Sequence, residues 1–151
     1  MATRPLPPLR ARALRFLARR EHSRAELARK LAPLVVQGDD VEAMLDDFTQ
    51  RGWLSDARFA EQAIRAKSRR FGPVKVAHDL RAKGVAEDAI DAAFRAAGEH
   101  GAADIARVWA SRFSQAPADQ RERARQVRFL QGRGFTLGAI LIFMKRTPDR
   151  P

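Results

Sequence analysis

The sequence predicts an all-α protein built from three tandem three-helix repeats that form an elongated, curved array. Apolar residues recur at helical spacing along the chain, whereas the alternation typical of β-strands is almost absent. In addition, two stretches, LRAKGVAEDAI at 80–90 and LQGRGFTLGAI at 130–140, share a Leu, a base before a Gly, an apolar residue after it and a final Ile. Helical units of about 40–50 residues are typical of repeat proteins, in which neighbours share a core, and we expect the same here.

A capping box marks the beginning of the second helix. In Ser23-Arg-Ala-Glu26 the serine hydroxyl is expected to accept a hydrogen bond from the Glu26 amide, and the glutamate carboxylate one from the Ser23 amide. This box separates a first helix near 10–21 from a second near 24–34. Each of these helices spans about three turns, which is an ordinary length for a globular protein.

Acidic residues are expected to begin the next two helices. Asp39 or Asp40 can cap a third helix, which ends at Gly52, because a carboxylate accepts the free amides of a first turn. Asp56 can cap a fourth helix that continues to about Arg70. Val41, Met44, Leu45 and Phe48 give the third helix one apolar face.

Proline and glycine set the boundaries of the fifth helix. Pro73 suits its first position, where the missing amide hydrogen would have no helical partner, and Gly84 ends it. Four more helices follow near 86–97, 101–114, 118–132 and 136–146, the last capped by Thr136. The predicted organisation is a flexible arm at 1–9, repeats at 10–55, 56–99 and 100–146, and a flexible tail at 147–151.

The composition is that of a globular protein with a strong excess of basic residues. The 151 residues include 29 Lys and Arg against 18 Asp and Glu, which gives a net charge of +11. This balance favours a polyanionic partner, although a solvated surface rich in Arg would look the same. There is no cysteine, no apolar run long enough to span a membrane and no export signal, so we expect a cytoplasmic protein with no membrane partner.

No group of residues indicates catalysis. The three histidines, His22, His78 and His100, are scattered and are expected at the surface or at helix ends, without further ligands at metal spacing. The acidic pairs Asp46-Asp47 and Glu87-Asp88 suit polar helix faces and first turns rather than a catalytic pair. We therefore expect neither enzymatic activity nor a metal ion or other cofactor.

Clusters of basic residues are the candidate binding surfaces. One cluster surrounds the Gly72-Pro73 turn, where the free amides of a helix N-terminus also favour anions, although the same residues could be solvated helix ends. A second cluster follows helical spacing at Arg121, Arg125 and Arg128, and a third lies on the first helix. The first of these clusters would suit phosphate groups or carboxylates.

Four blocks of the sequence resemble the RecX family of bacterial recombination regulators. They occur in the family's order, extend over about residues 10–146, and read SRAELARKL (23–31), GWLSDARFAEQAI (52–64), FGPVKVAHDLRAKGVAEDAIDAAF (71–94) and RQVRFLQGRGFTLGAI (125–140). The chain departs from the family pattern at Ala63, where a Tyr is typical, at Ala86, which replaces a polar cap, and in the loop near 32–40. The missing Tyr puts any contact made by that side chain in doubt.

The resemblance implies three three-helix repeats, a protein partner and no catalytic residue or cofactor. RecX-like proteins bind RecA, above all RecA filaments on single-stranded DNA, and inhibit ATP hydrolysis, strand exchange and filament growth. They thereby restrain recombination, DNA repair and the SOS response, and many also bind DNA. On this basis we expect a monomer whose contacts with RecA and with single- or double-stranded DNA involve Arg65, Lys67, Arg69, Arg70, Lys75, Arg81, Lys83, Arg125, Arg128 and Arg133.

Two other interpretations are compatible with the sequence. A helical DNA-binding protein that acts without RecA could use two short helices and a tight turn, as near Gly72 or Gly134, to enter a DNA groove. A structural helical scaffold would show no salt-dependent binding of nucleic acid at all.

Overall fold

The computed structural model describes residues 5–98 and 100–146, with side chains at all of these except 100–103. Over this part of the chain the secondary structure is helical and contains no strand, which confirms the all-α prediction. The helices are α1 (Leu9–Arg19), α2 (Arg24–Leu31), α3 (Val41–Gln50), α4 (Asp56–Lys67), α5 (Pro73–Ala82), α6 (Glu87–Ala97), α7 (His100–Ala110), α8 (Gln120–Gly132) and α9 (Leu137–Arg146), with a 3-10 turn at Ala32–Leu34.

Both ends of the chain were expected to be flexible. Residues 1–4 and 147–151 lie outside the described residues. The arm expected at 1–9 ends sooner, because α1 begins at Leu9 and buries its side chain against the first core.

The predicted starts of three helices are present. Asp40 Oδ1 accepts a hydrogen bond from the Ala43 amide at 3.0 Å and begins α3, and Thr136 Oγ1 accepts one from the Ala139 amide at 3.2 Å and begins α9. Pro73 occupies the first turn of α5, as predicted. Local sequence signals therefore locate these helix starts well.

Several helices end earlier than their periodicity predicted. α4 ends at Lys67 and not at Arg70, because the chain must become extended at Gly72, the residue before a proline. α2 ends at Leu31, where a 3-10 turn that contains Pro33 begins. α7 ends at Ala110 rather than near 114.

The start of α4 corrects a predicted cap. Ser55 is the N-cap, and its Oγ accepts a hydrogen bond from the Arg58 amide at 3.2 Å. Asp56 is the first helical residue, and its Oδ1 accepts a 2.8 Å hydrogen bond from the Arg24 amide. Asp56 therefore caps a helix of the preceding repeat, because the N-termini of α2 and α4 meet at this point.

Each repeat has its own hydrophobic core, so the prediction that neighbouring repeats share a core is wrong. Three helices suffice in each case because large aliphatic side chains are almost completely buried between them. The cores contain Leu27, Leu31, Leu45 and Phe48 in α1–α3; Ile64, Val76, Leu80 and Ile90 in α4–α6; and Ile105, Val108, Leu130 and Ile140 in α7–α9.

The first junction between repeats joins the beginning of α2 to the glycine turn after α5. Ser23 Oγ donates a 2.6 Å hydrogen bond to the carbonyl of Lys83. Gly84 has a φ of +79° and lies so close to Ala25 that a Cβ on the glycine would be 2.5 Å from the Ala25 Cβ. Only glycine fits this position, on grounds of both conformation and space.

The second junction repeats this arrangement between the beginning of α5 and the glycine turn after α8. The Gly72 amide donates to the carbonyl of Arg133 at 2.7 Å, and the Val74 amide to the carbonyl of Gly134 at 2.9 Å. A Cβ on Gly134 would lie 2.5 Å from the Cβ of Lys75. The two sequence stretches that share a pattern are therefore the two turns on which the preceding repeats dock.

Candidate partner-binding surface

Three of the ten predicted site residues hold ion pairs inside the chain. Lys67 Nζ lies 3.1 Å from Asp79 Oδ2 and connects α4 to α5. Arg81 pairs with Glu87 across the glycine turn. Lys83 Nζ lies 3.3 Å from Glu26 Oε1 and connects the second repeat to the first. These ion pairs stabilise the fold. A partner that binds Lys67, Arg81 or Lys83 would have to compete with the acidic residue that each of them already contacts.

Glu26 is the centre of a buried charge cluster at the first junction. Only 6% of its side chain is exposed, and its carboxylate accepts from Arg20 Nη2 at 2.6 Å and from Lys83 Nζ at 3.3 Å. Burial raises the pKa of Glu26, but the hydrogen bonds and positive charges of Arg20 and Lys83 outweigh it and lower the pKa from 4.5 to about 2. The predicted capping box is therefore half correct: the Ser23 hydroxyl caps the Glu26 amide, while the carboxylate binds these two cations.

His22 was expected at the surface or at a helix end, and it lies at a helix end, buried directly before the N-cap of α2. Its Nδ1 lies 3.0 Å from the Arg20 carbonyl, to which it donates, and its Nε2 accepts from Lys30 Nζ at 2.9 Å. Burial lowers the pKa of His22, with the charges of Arg20 and Lys30 acting in the same direction. The lowered pKa favours the neutral imidazole, which accepts the hydrogen bond of Lys30, so His22 has a structural role directly before α2.

Three further site residues lie over aromatic rings. Lys75 Nζ is 4.9 Å from the centre of the Phe71 ring, and the guanidinium of Arg133 is 5.7 Å from the same centre. Arg125 lies 5.7 Å from the ring centre of Phe113. A ring orients a cation and leaves its hydrogen-bond donors accessible, so Lys75 and Arg133 present two charges from neighbouring repeats around one ring.

The remaining four site residues, Arg65, Arg69, Arg70 and Arg128, are exposed. Within the described part of the chain they have no ion pair or side-chain hydrogen bond. Arg128 shares α8 with the exposed Arg125 and with Arg121. These unpaired arginines are the residues most available to a partner, because binding them breaks no internal contact.

Arg65 and Arg69 line a cleft of about 480 Å³ between the second and third repeats. One face of α4 and the turn after it form one wall, and three alanines of α6 form the floor. Asp104 and Arg107 of α7 form the other wall. The residues that line this cleft and that the sequence reasoning missed are Glu61, Ile64, Ser68, Ala93, Ala96, Ala97, Asp104 and Arg107.

A sequence signal for this cleft was present. Glu61, Ile64, Arg65 and Ser68 follow helical spacing and mark one face of α4 that is partly polar. That this face opposes α7 depends on how two repeats pack, which no local pattern contains. Residue spacing alone could therefore identify the face of α4 that lines the cleft, but not the α7 residues on the opposite side.

The described residues contain no cluster of His, Cys, Asp or Glu that could hold a metal ion. Nor does any helix among them have both the length and the apolar character needed to cross a membrane.

Family profiles match three consecutive parts of the chain. They are described as RecX, first three-helix domain (residues 10–48), RecX, second three-helix domain (55–93), and RecX, third three-helix domain (103–144). Together they cover most of the chain, in the order in which the three cores follow one another.

Curated relatives are similar over nearly their whole length. Proteins named Regulatory protein RecX from Herbaspirillum seropedicae and Leptothrix cholodnii are 46% and 44% identical to the chain. The alignments cover 90% of this chain and 90% of the former protein, and 92% of this chain and 88% of the latter. A protein of that name from Neisseria meningitidis is 36% identical, over 97% of this chain and 95% of its own length.

Two solved structures have the same fold. A crystal structure of RecX from Lactobacillus salivarius superimposes with a TM-score of 0.77 at 17% identity, over 92% of this chain and 94% of that one. A crystal structure of a regulatory protein RecX gives a TM-score of 0.74 at 19% identity, over 91% of this chain and 72% of that one. The arrangement of three successive three-helix units is thus common to all three.

Proposed function

Because the chain belongs to the RecX family of regulatory proteins, we propose that it binds RecA and RecA filaments on single-stranded DNA and inhibits ATP hydrolysis, strand exchange and filament growth. In this role it would restrain recombination, DNA repair and the SOS response. It acts as a monomeric cytoplasmic regulator and not as an enzyme.

The surface charge supports this proposal. The net charge is +11, and four of the predicted site residues are exposed arginines without an ion pair among the described residues. A filament of protein on single-stranded DNA carries a phosphate backbone, and such a surface attracts a basic protein over long distances. Three successive repeats offer this charge at several points along the chain, so one molecule would contact several points of a filament.

In this proposal the protein inhibits RecA by occupying space on the filament. A chain that binds neighbouring RecA subunits would occupy space that duplex DNA or an incoming subunit requires. No chemical step by this chain is needed, because blocking entry and growth reduces every activity that depends on an extended filament.

The direct test is RecA ATP hydrolysis on single-stranded DNA, with and without a stoichiometric amount of this protein. We expect slower hydrolysis and shorter filaments when the protein is present. Unchanged hydrolysis together with unchanged filament length would contradict the proposal. Binding of naked duplex DNA with sequence preference and a steep salt dependence would favour the DNA-binding alternative instead.

A further inference from the structure

We propose that the cleft between α4, α6 and α7 docks a segment of the RecA protein that combines an apolar side chain with Asp or Glu, and not the phosphate backbone of DNA. This inference rests on the proposed function, since it assigns one part of this protein's surface to the RecA protein of the filament and not to its DNA. Three properties of the cleft carry it: an apolar floor, unpaired arginines and carboxylates within the same walls.

The floor of the cleft suits a protein side chain. Ala93, Ala96 and Ala97 lie at i, i+3 and i+4 on α6 and line the cleft with Ile64 of α4. Ala96 and Ala97 supply most of this small apolar strip, because Ala93 and Ile64 are almost completely buried. An apolar side chain of a partner gains free energy when it is buried on such a strip. A phosphodiester backbone would lose water there without gaining a hydrogen bond.

The arginines of the cleft suit carboxylates. Arg65 and Arg69 have no ion pair within the described residues, and Arg107 is held only at 4.0 Å by Asp104. A guanidinium binds a carboxylate through two parallel hydrogen bonds, so the cleft offers such a bond to Asp or Glu of a partner at each of three positions.

The acids of the cleft argue against nucleic acid. Glu61 and Asp104 line the same walls as the arginines. A continuous polyanion would bring phosphates close to both carboxylates, whereas a protein segment can place an amide or a base against them. On α8, by contrast, the spacing of Arg121, Arg125 and Arg128 forms a stripe of positive charge that suits phosphates better.

The position of the cleft adds specificity. Its walls come from the second repeat and from α7 of the third, so the cleft exists only when the two repeats are docked through Gly72 and Gly134. A partner that binds there would therefore recognise the tandem arrangement and not a single three-helix unit.

A substitution that leaves the net charge unchanged can distinguish RecA from DNA as the occupant of the cleft. Ala96 is exposed and lines the cleft, so Ala96→Trp should fill it without disturbing the core, which circular dichroism can verify. Ala43→Trp is the matched control, because Ala43 is exposed on α3 in the first repeat. Fluorescence anisotropy of the full chain would measure the Kd for DNA-free RecA and for RecA-free single-stranded DNA.

We expect Ala96→Trp to raise the Kd for RecA at least about tenfold and to change the Kd for DNA less than about twofold. The double variant Arg65→Glu/Arg69→Glu should weaken RecA binding as well, so the test does not depend on one substitution. Ala43→Trp should change neither constant.

The outcomes distinguish this inference from the proposed function. If the wild-type chain binds RecA and both cleft variants bind it equally well, the cleft is not the docking site, while the proposed function stands. If Ala96→Trp weakens DNA binding as much as RecA binding, the cleft holds nucleic acid and the inference is wrong. If the wild-type chain fails to bind RecA, the proposed function fails, and the inference with it.

Discussion

The hydroxyl of Ser23 donates a 2.6 Å hydrogen bond to the carbonyl of Lys83, 60 residues further along the chain. The same hydroxyl accepts from the Glu26 amide at 3.1 Å, and the Glu26 carboxylate accepts from Lys83 Nζ. A side chain that begins α2 thus also binds the end of α5. One oxygen atom therefore takes part both in the cap of a helix and in a contact between two repeats.

Replacement of Ser23 by Ala should destabilise the protein more than the loss of a cap alone. The variant loses the bond to Glu26 and leaves the Lys83 carbonyl without its partner, which together should lower the free energy of unfolding by about 2 kcal/mol. Asp40→Ala removes a cap within a single repeat and should cost about 1 kcal/mol. Urea denaturation followed by circular dichroism measures both, and equal losses would show that the junction bond contributes nothing.

Replacement of Gly134 by Ala should disrupt the second junction. Gly134 has a φ of +96°, and an added Cβ would lie 2.5 Å from the Lys75 Cβ and 2.7 Å from the Lys75 amide nitrogen. Gly52→Ala is the matched control, because Gly52 also has a positive φ but has no heavy atom within 4 Å of the added Cβ.

We expect Gly52→Ala to cost about 1–2 kcal/mol through backbone strain, and Gly134→Ala to cost about 1–3 kcal/mol more through overpacking. Chemical denaturation gives both values. If the two substitutions cost the same, the close approach at Gly134 can be relieved without loss.

The Glu26 cluster should lose its stabilising effect in acid. The folded pKa of about 2 lies below the ordinary 4.5, so the contribution of Glu26 is fully present above pH 4.5 and disappears as the pH falls towards 2. Glu26→Gln should therefore be less stable than the wild type at neutral pH, and the difference should shrink in acid. Unfolding free energies of both proteins across this range test it, and a constant difference would refute it.

Reversal of Arg69 and Arg70 to Glu should weaken inhibition of RecA ATP hydrolysis and leave helicity unchanged. Both arginines are exposed in the turn after α4 and have no ion pair within the described residues, so the fold does not depend on them. About tenfold more protein should be needed for half inhibition, which corresponds to about 1.4 kcal/mol.

Arg15→Glu/Arg19→Glu is the control for general charge attraction, because it changes the net charge equally in the basic cluster of α1, which contains none of the ten predicted site residues. It should have a smaller effect on inhibition. If both double variants inhibit equally poorly, net charge and not position governs binding. Full inhibition by the Arg69/Arg70 variant would remove these residues from the site.

The parts of the fold that the sequence predicted depend on near neighbours in the chain. The caps at Asp40 and Thr136, the proline at the start of α5 and the glycine after it are decided within about four residues, and these predictions were confirmed. The apolar spacing of each helix is local in the same sense.

The two wrong predictions of capping concern residues that meet across the chain. Asp56 was expected to cap its own helix but binds Arg24, and the Glu26 carboxylate binds Lys83 in place of its own cap. Among the site residues, no local pattern distinguished the paired Lys67 from the unpaired Arg65. Tertiary packing decides which acidic side chain a basic side chain pairs with. The sequence shows only that both kinds of residue are present.

The chain consists of three units with separate cores, and hydrogen bonds connect each unit to the next. Rotation of one repeat against the next exchanges a few hydrogen bonds, such as those of Gly72 and Ser23, for bonds with water, which costs about 1 kcal/mol for each bond. The large aliphatic side chains that hold each unit together lie in three separate clusters, one within each unit. The molecule should therefore bend at two hinges while its units stay rigid, and follow a helical surface whose pitch varies.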